Sequence, residues 1–216
     1  APKDDVCLVL DIGGTTTDMA VLVDGVPLLD PMGINIGDHK TLIRSLETVS
    51  IGVGGDSVVR VVDGKIHIGP DRLGMAMAYG GPVPTPTDAI FLLGVGEGGD
   101  LEKAKEAIQS VADALGTDLQ DAAERIFEQA CRNILDEAAS MIARINAKPV
   151  YTVHELWEGH HLRPHRILVL GGPAPHFADH LNEMSSTDIR VVPNWEVANA
   201  VGAALARTTC EVSVFA

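Results

Sequence analysis

The sequence predicts an α/β protein with a mixed sheet and flanking helices. Three observations carry this. Short apolar runs separated by Gly- and Asp-rich turns fill residues 6–68, the apolar spacing lengthens toward 3.6 residues over 100–147, and strand–turn–helix order returns after Arg166. With 216 residues, 46% of them hydrophobic, the chain can bury a substantial core. One unit is expected over 1–216, with the helical stretch around 100–147 inserted into it.

The elements follow in order. Residues 6–11 form an apolar run closed by an acid and a Gly pair, and 19–23 form a second closed by Asp24-Gly25. Together they read as a hairpin or adjacent strands, continued by 26–29. Residues 33–45 mix turn residues with a short helix. Residues 48–53 and 57–62 flank Gly54-Gly55-Asp56, and Asp63-Gly64 leads into 65–68, an Asp-Gly turn between extended runs. The Gly- and Pro-rich stretch 69–86 reads as irregular chain, and Thr87-Asp88 caps a short helix over 89–93.

Asp100 caps a helix that ends near Gly116. The next helix, 119–147, places Ile126, Ala130, Ile134, Ala138, Ile142 and Ile145 on one stripe, beside Phe127 and Met141. This pair of helices reads as a packing element. Beyond a mixed segment at 151–165, residues 166–170 are a buried-type strand, 175–184 a helix with an early Pro, and 189–192 a further strand. Residues 195–207 are a helix with Ala198, Val201, Gly202 and Leu205 facing the sheet.

Composition narrows the function classes. The chain carries 16 basic and 30 acidic side chains, net charge −14, with no basic block, so a nucleic-acid partner is not expected. No apolar stretch is long enough to span a bilayer, so no membrane partner is expected either. Cys7, Cys131 and Cys210 form no spaced pair and suggest no disulfide framework, which points to a cytoplasmic protein.

The candidate site begins at DIGGTTTDMAVLVDG, residues 11–25. Its plain reading is a polar turn; the sharper one is a hairpin shaped around phosphate. Gly13 and Gly14 let backbone N–H groups face an anion, and Thr15, Thr16 and Thr17 add hydroxyl donors. Asp11 and Asp18 suit a hydrated Mg²⁺ held against phosphates. Gly171 and Gly172, between a strand and a helix, let a ring or ribose approach the backbone. Neither a GxxxxGK[ST] loop nor a GxGxxG after the first strand occurs, which excludes a P-loop and leaves a dinucleotide fold unsupported.

Gly55, Asp56 and Ser57 either border a substrate pocket or make a hairpin turn. Thr85, Thr87 and Asp88 read as a rigid turn and cap. His154, Glu155, Glu158, His160, His161 and His165 crowd one segment without an HExxH pattern; a solvated connection and a zinc module are the competing readings. Cys131 lies near the apolar stripe and reads as a buried thiol, and Ser57 has no GxSxG context.

Three stretches carry a family resemblance: DIGGTTTDMAVLVDG at 11–25; GVGGDSVVRVVDGKIHIGPDRLG at 52–74 with YGGPVPTPTDAIFLLG at 79–94; and GGPAPHFADHL at 171–181 with VVPNWEVANAVGAALA at 191–206. The chain resembles the hydantoinase A/5-oxoprolinase family, a branch of the sugar kinase–Hsp70–actin superfamily. The resemblance implies a ribonuclease H-like, actin-like ATPase domain. It implies the C-terminal half of a two-half protein, completed by an N-terminal half of the same protein or by a partner subunit, in a homo- or hetero-oligomer.

It further implies ATP and Mg²⁺ as cofactors and a small-molecule substrate, with the opening of a cyclic amide as the activity. Ketone carboxylation and a non-catalytic nucleotide-binding role are the alternatives. By position, Asp11 orients Mg²⁺ or the attacking group, with Asp18 as polar support. Gly13, Gly14, Thr15 and Thr16 cradle phosphates, and Gly171 and Gly172 face the adenosine. Two departures weaken transfer of the family's substrates: Asp56 stands where a glycine is usual, and the stretch after Gly69-Pro70 lacks the usual Gly-Pro-Ala-Cys pattern.

Overall fold

The computed structural model describes residues 5–30, 33, 35–36, 39–41, 45–96, 98–147 and 161–206. Strand β1 (Val6–Ile12) and β2 (Thr17–Val23) form an antiparallel hairpin with Asp11 opposite Asp18. The two-residue period places Leu8, Leu10, Ile12, Met19 and Val21 in the interior. Asp24 and Gly25 both have positive φ, the conformation of the tight turns that match strand twist, and β3 (Val26–Pro27) returns antiparallel along β2.

Residues 33–45 differ from expectation. Their described parts make short ladders instead of a helix: β4 (Leu29–Asp30) pairs with β7 (Ser45–Leu46), and β5 (Asn35–Ile36) with β6 (His39–Lys40). The last two flank Gly37-Asp38 in sequence, a turn-favouring pair that disfavours helix. Strand β8 (Thr48–Ile51) then joins the outer edge of β2, antiparallel to it. Strands β9 (Val59–Val62) and β10 (Lys65–Ile68) form the hairpin expected around Asp63-Gly64, again with positive φ at both turn residues.

Helix α1 (Pro86–Leu92) starts three residues earlier than Ala89, because the cap is Thr85. Its hydroxyl accepts from Asp88 N–H, and the Asp88 carboxylate accepts from Thr85 N–H at 3.0 Å. The same fully buried carboxylate accepts from Met77 and Ala78 N–H, pinning a 3₁₀ turn (Met77–Tyr79) to the helix start. Helices α2 (Leu101–Leu115), capped by Asp100 and ended by Gly116, and α3 (Leu119–Asn146), capped by Asp118, match the sequence reading.

Strand β11 (Arg166–Leu170) lies parallel to β1, and after α4 (Ala174–Met184) strand β12 (Asp188–Val191) lies parallel to β11. The main sheet runs β12-β11-β1-β2, with β3 and β8 sharing the outer edge of β2. An antiparallel meander extended by two parallel strands is the mixed sheet the sequence predicts, and it fits an actin-like α/β fold. Helix α3 shares one core with the sheet and with α1 and α2 through Ile126, Ala130, Ile134 and Met141, and Phe127 meets Phe177 of α4 edge to face at 5.0 Å. Ile142 and Ile145 are only partly buried.

Helix α5 (Ala198–Leu205) departs most from expectation. It begins at Ala198, because residues 193–197 are taken up by turns, with Asn194 at φ 55 and Val197 at φ −120 standing just outside the helix. Its Val201 and Leu205 are exposed, 47% and 74%, instead of facing the sheet, since no described element lies across them. Among the described residues, no helix is long and apolar enough to cross a membrane.

Candidate functional site

The β1–β2 connection is as short as a strand reversal allows: Gly13 N–H donates to Thr16 C=O at 2.8 Å, leaving Gly14 and Thr15 at the tip. Asp11 sits half-buried at the end of β1, with exposed Asp18 across the ladder. Burial first, and the Asp18 charge second, raise the Asp11 carboxyl above the ordinary Asp range. Its Oδ2 accepts from Asn199 Nδ2 of α5 at 3.1 Å. Thr16 Oγ1 lies 3.5 Å from Asp18 Oδ2, a long contact.

The second glycine turn is joined to the first backbone to backbone. Gly55 N–H donates to Gly13 C=O at 3.0 Å and Asp56 N–H to Gly14 C=O at 2.6 Å. A Cβ on Gly54 would stand 2.5 Å from Gly13 O, so only glycine permits this approach. Ser57 Oγ accepts from Gly54 N–H at 2.8 Å and donates toward Thr15 C=O at 3.3 Å. Thr17 Oγ1 donates to Val53 C=O at 2.7 Å.

Both Thr17 and Ser57 are fully buried. Their hydroxyls therefore bind one turn to the other, where the sequence suggests a phosphate donor at Thr17 and a pocket lining at Ser57. The reason is strand parity. Thr17 opens β2 on the same inward face as Met19 and Val21, whereas Asp18 faces out.

The late glycine pair reaches the same place. Gly171, at φ +100, seats against the end of β1, where a Cβ would fall 2.1 Å from Ile12 O and 2.9 Å from Asp11 Oδ1. Nothing lies within 4 Å of the Cβ position of Gly172. The turns open into one cleft of about 980 Å³, lined by Gly14, Gly55, Asp56 and Gly172 together with Thr87, Tyr79, Phe91, His176 and Trp195. Thr87 is not a cap, since its hydroxyl donates to Gly55 C=O at 2.7 Å and closes the floor. Asp11, Gly13, Thr15, Thr16 and Gly171 stand around this lining rather than in it.

Sequence reasoning missed two residues. Asn199 carries no local signal. Arg72 does: it is the one cation in the Gly- and Pro-rich stretch 69–86. Its guanidinium donates to Thr15 Oγ1 at 3.1 Å, to Asp56 Oδ2 at 2.7 Å and to Gly74 C=O at 3.1 Å.

Of the histidine-rich segment, residues 154–160 lie outside the described residues. His165 Nε2 lies 2.8 Å from Asp5 Oδ1, and the donor atoms of Asp5, Cys7 and His165 fall within 4.8 Å of one another, at the opposite end of β1 from the glycine turns. Burial and the neighbouring Asp5 raise the Cys7 thiol, which favours its protonated form. Cys131 is fully buried in the core, and burial raises its pKa as well.

The model of the hydantoinase/oxoprolinase family matches residues 1–212, so the chain belongs to that family. It is 30% identical over 190 residues to the acetophenone carboxylase gamma subunit of Aromatoleum aromaticum, covering 76% of this chain and 23% of that protein. To the acetone carboxylase beta subunit of Xanthobacter autotrophicus it is 31% identical over 153 residues, covering 62% and 21%. A nucleotide-free structure of acetone carboxylase, from work on ATP-dependent acetone carboxylation, shares the fold at a TM-score of 0.69 and 22% identity, over 89% of this chain and 28% of that one. The chain thus spans between a fifth and a third of the length of these relatives.

Proposed function

We propose that this member of the hydantoinase/oxoprolinase family is the C-terminal, nucleotide-binding half of an ATP-dependent enzyme that opens a cyclic amide. The observation that carries the reading is the single cleft on which the three glycine turns converge through Gly14, Gly55 and Gly172, with open space at the Cβ position of Gly172. In this reading residues 1–216 act as one actin-like unit, with α2 and α3 as an inserted packing arm.

The residues present fit the implied groups. Asp11 and Asp18 are directly opposed, and the Asp11 pKa is raised by burial first and by the Asp18 charge second, both of which a divalent cation would offset. ATP, when bound, supplies the phosphoryl group that turns an amide or carbonyl oxygen into a leaving group. The chain's own contribution is positional. Gly13, Gly14, Thr15 and Thr16 would hold phosphate oxygens, Asp11 and Asp18 would hold Mg²⁺, Gly171 and Gly172 would admit the adenosine, and Asn199 fixes the Asp11 carboxylate. Asp56 borders the substrate side, while Thr17 and Ser57 keep the two turns in register from within. Val197, Val201 and Leu205 give an apolar face that the other half or a partner subunit would cover, expelling water from the cleft.

A second reading, ATP-dependent ketone carboxylation, is favoured by the two carboxylase-subunit relatives and by the Asp56 and post-Pro70 departures.

Calorimetric titration of Mg²⁺ with a non-hydrolysable ATP analogue, on this chain and on its full-length protein or assembled complex, tests the nucleotide assignment. Saturable binding that Asp11→Asn abolishes is expected; no binding by the assembled protein refutes it. Turnover of ATP driven by a cyclic amide without bicarbonate selects the first reading, and a strict bicarbonate requirement with a ketone selects the second.

A further inference from the structure

We infer that Arg72 is a cationic ligand at the rim of the cleft, placed beside Asp56 and Thr15 to bind the terminal phosphate of a nucleoside triphosphate at the tip of the β1–β2 hairpin. This rests on the nucleotide reading above and adds to it the group that confers preference for a charged phosphate chain over a bare nucleoside.

The hairpin lies in an acidic protein of net charge −14, and it carries two carboxylates of its own, Asp11 and Asp18. Backbone N–H groups there are already partly committed: Gly13 donates to Thr16, and Gly55 and Asp56 donate to Gly13 and Gly14. An anion arriving at the tip therefore needs a donor from elsewhere in the chain. Arg72 comes from a segment more than fifty residues downstream and still hydrogen-bonds the tip at Thr15 Oγ1, 3.1 Å away.

The geometry of its partners suits a ligand more than a simple staple. Three of the five guanidinium N–H groups are used, one each from Nε, Nη1 and Nη2, leaving one on each terminal nitrogen. Thr15 Oγ1 accepts from Arg72, so its own proton remains to be donated. The side chain of Arg72 is 42% exposed while that of its partner Asp56 is 16% exposed, so the carboxylate anchors the guanidinium from the protein side and a face stays open. Asp56 Oδ2 lies 2.8 Å from where a Cβ on Gly14 would stand, which sets the anchored cation directly over the glycine that borders the cleft. The planar fork of Arg can serve Asp56, Thr15 and a phosphate oxygen together, which the point charge of Lys cannot.

The test is isothermal titration of the full chain, in its assembled protein where lone-chain binding is weak, with three probes: Mg²⁺–AMP-PNP, ADP and adenosine. Arg72→Ala is expected to weaken AMP-PNP binding by about 10- to 100-fold, the scale of a lost charge-assisted hydrogen bond, while adenosine changes by less than about twofold. Arg72→Lys recovers part of the loss. Arg72→Gln, which keeps an uncharged N–H donor on a shorter stem, gives the same ranking of probes as Arg72→Ala, and circular dichroism melts confirm that each variant folds. Equal losses for AMP-PNP and adenosine, or no loss for either, would overturn the assignment of Arg72 while leaving nucleotide binding standing. Absence of binding of all three probes by the wild-type protein would overturn both.

Discussion

Gly54→Ala tests the physical joint on which the cleft depends. The added methyl would stand 2.5 Å from Gly13 O, 2.7 Å from Gly14 C and 2.8 Å from Gly14 O, all backbone atoms with no rotamer to escape through. Restoring ordinary contact requires the two turns to separate by about 1 Å. Such a shift lengthens the Gly55–Gly13 and Asp56–Gly14 hydrogen bonds, now 3.0 and 2.6 Å, beyond useful range. Each contributes about 0.5–1.5 kcal/mol net, and overpacking adds about 1–3 kcal/mol. A loss of about 2–6 kcal/mol should lower the thermal midpoint of a chain this size by about 4–24 °C. Differential scanning calorimetry reads it, with Gly172→Ala as the matched control, since that Cβ position is empty and its change should stay within about 1 kcal/mol. A Gly54→Ala protein melting within about 1 °C of wild type would refute the claim that the turns are in backbone contact.

The Asp11–Asp18 pair should show itself in pH. The folded Asp11 carboxyl is raised above its unfolded value, so its contribution to stability is most favourable below the unfolded pKa and is lost as pH rises through the folded one. Asp11→Asn should therefore raise the apo thermal midpoint at neutral pH. That advantage should vanish in acid, and Mg²⁺ should stabilise wild type but not the variant; melts across pH with and without Mg²⁺ read all three. Thr85→Ala removes the helix cap and one of the donors to buried Asp88, so urea unfolding should show a loss of about 1–2 kcal/mol with an unchanged m-value.

Much of this architecture is written in short-range pattern. The Asp-Gly turns at 24–25 and 63–64, the caps at Asp100 and Asp118, and the stripe on α3 each follow from backbone preference or periodicity within a few residues. Thr17, read from the sequence as a phosphate donor, shows what parity would have told: counting back by twos from Met19 turns it inward. What the sequence alone determined, then, was the element order outside 33–45, the mixed sheet and the glycine turns that border a cleft. Tertiary structure decided that Gly54-Gly55 touches Gly13-Gly14 and that Gly171 seats against Ile12, that Arg72 and Asn199 reach Thr15 and Asp11, and that Val201 and Leu205 of α5 face outward. Those contacts join residues tens to nearly two hundred positions apart. Their energy depends on how the sheet brings strand ends together, and that leaves no periodic trace in the chain.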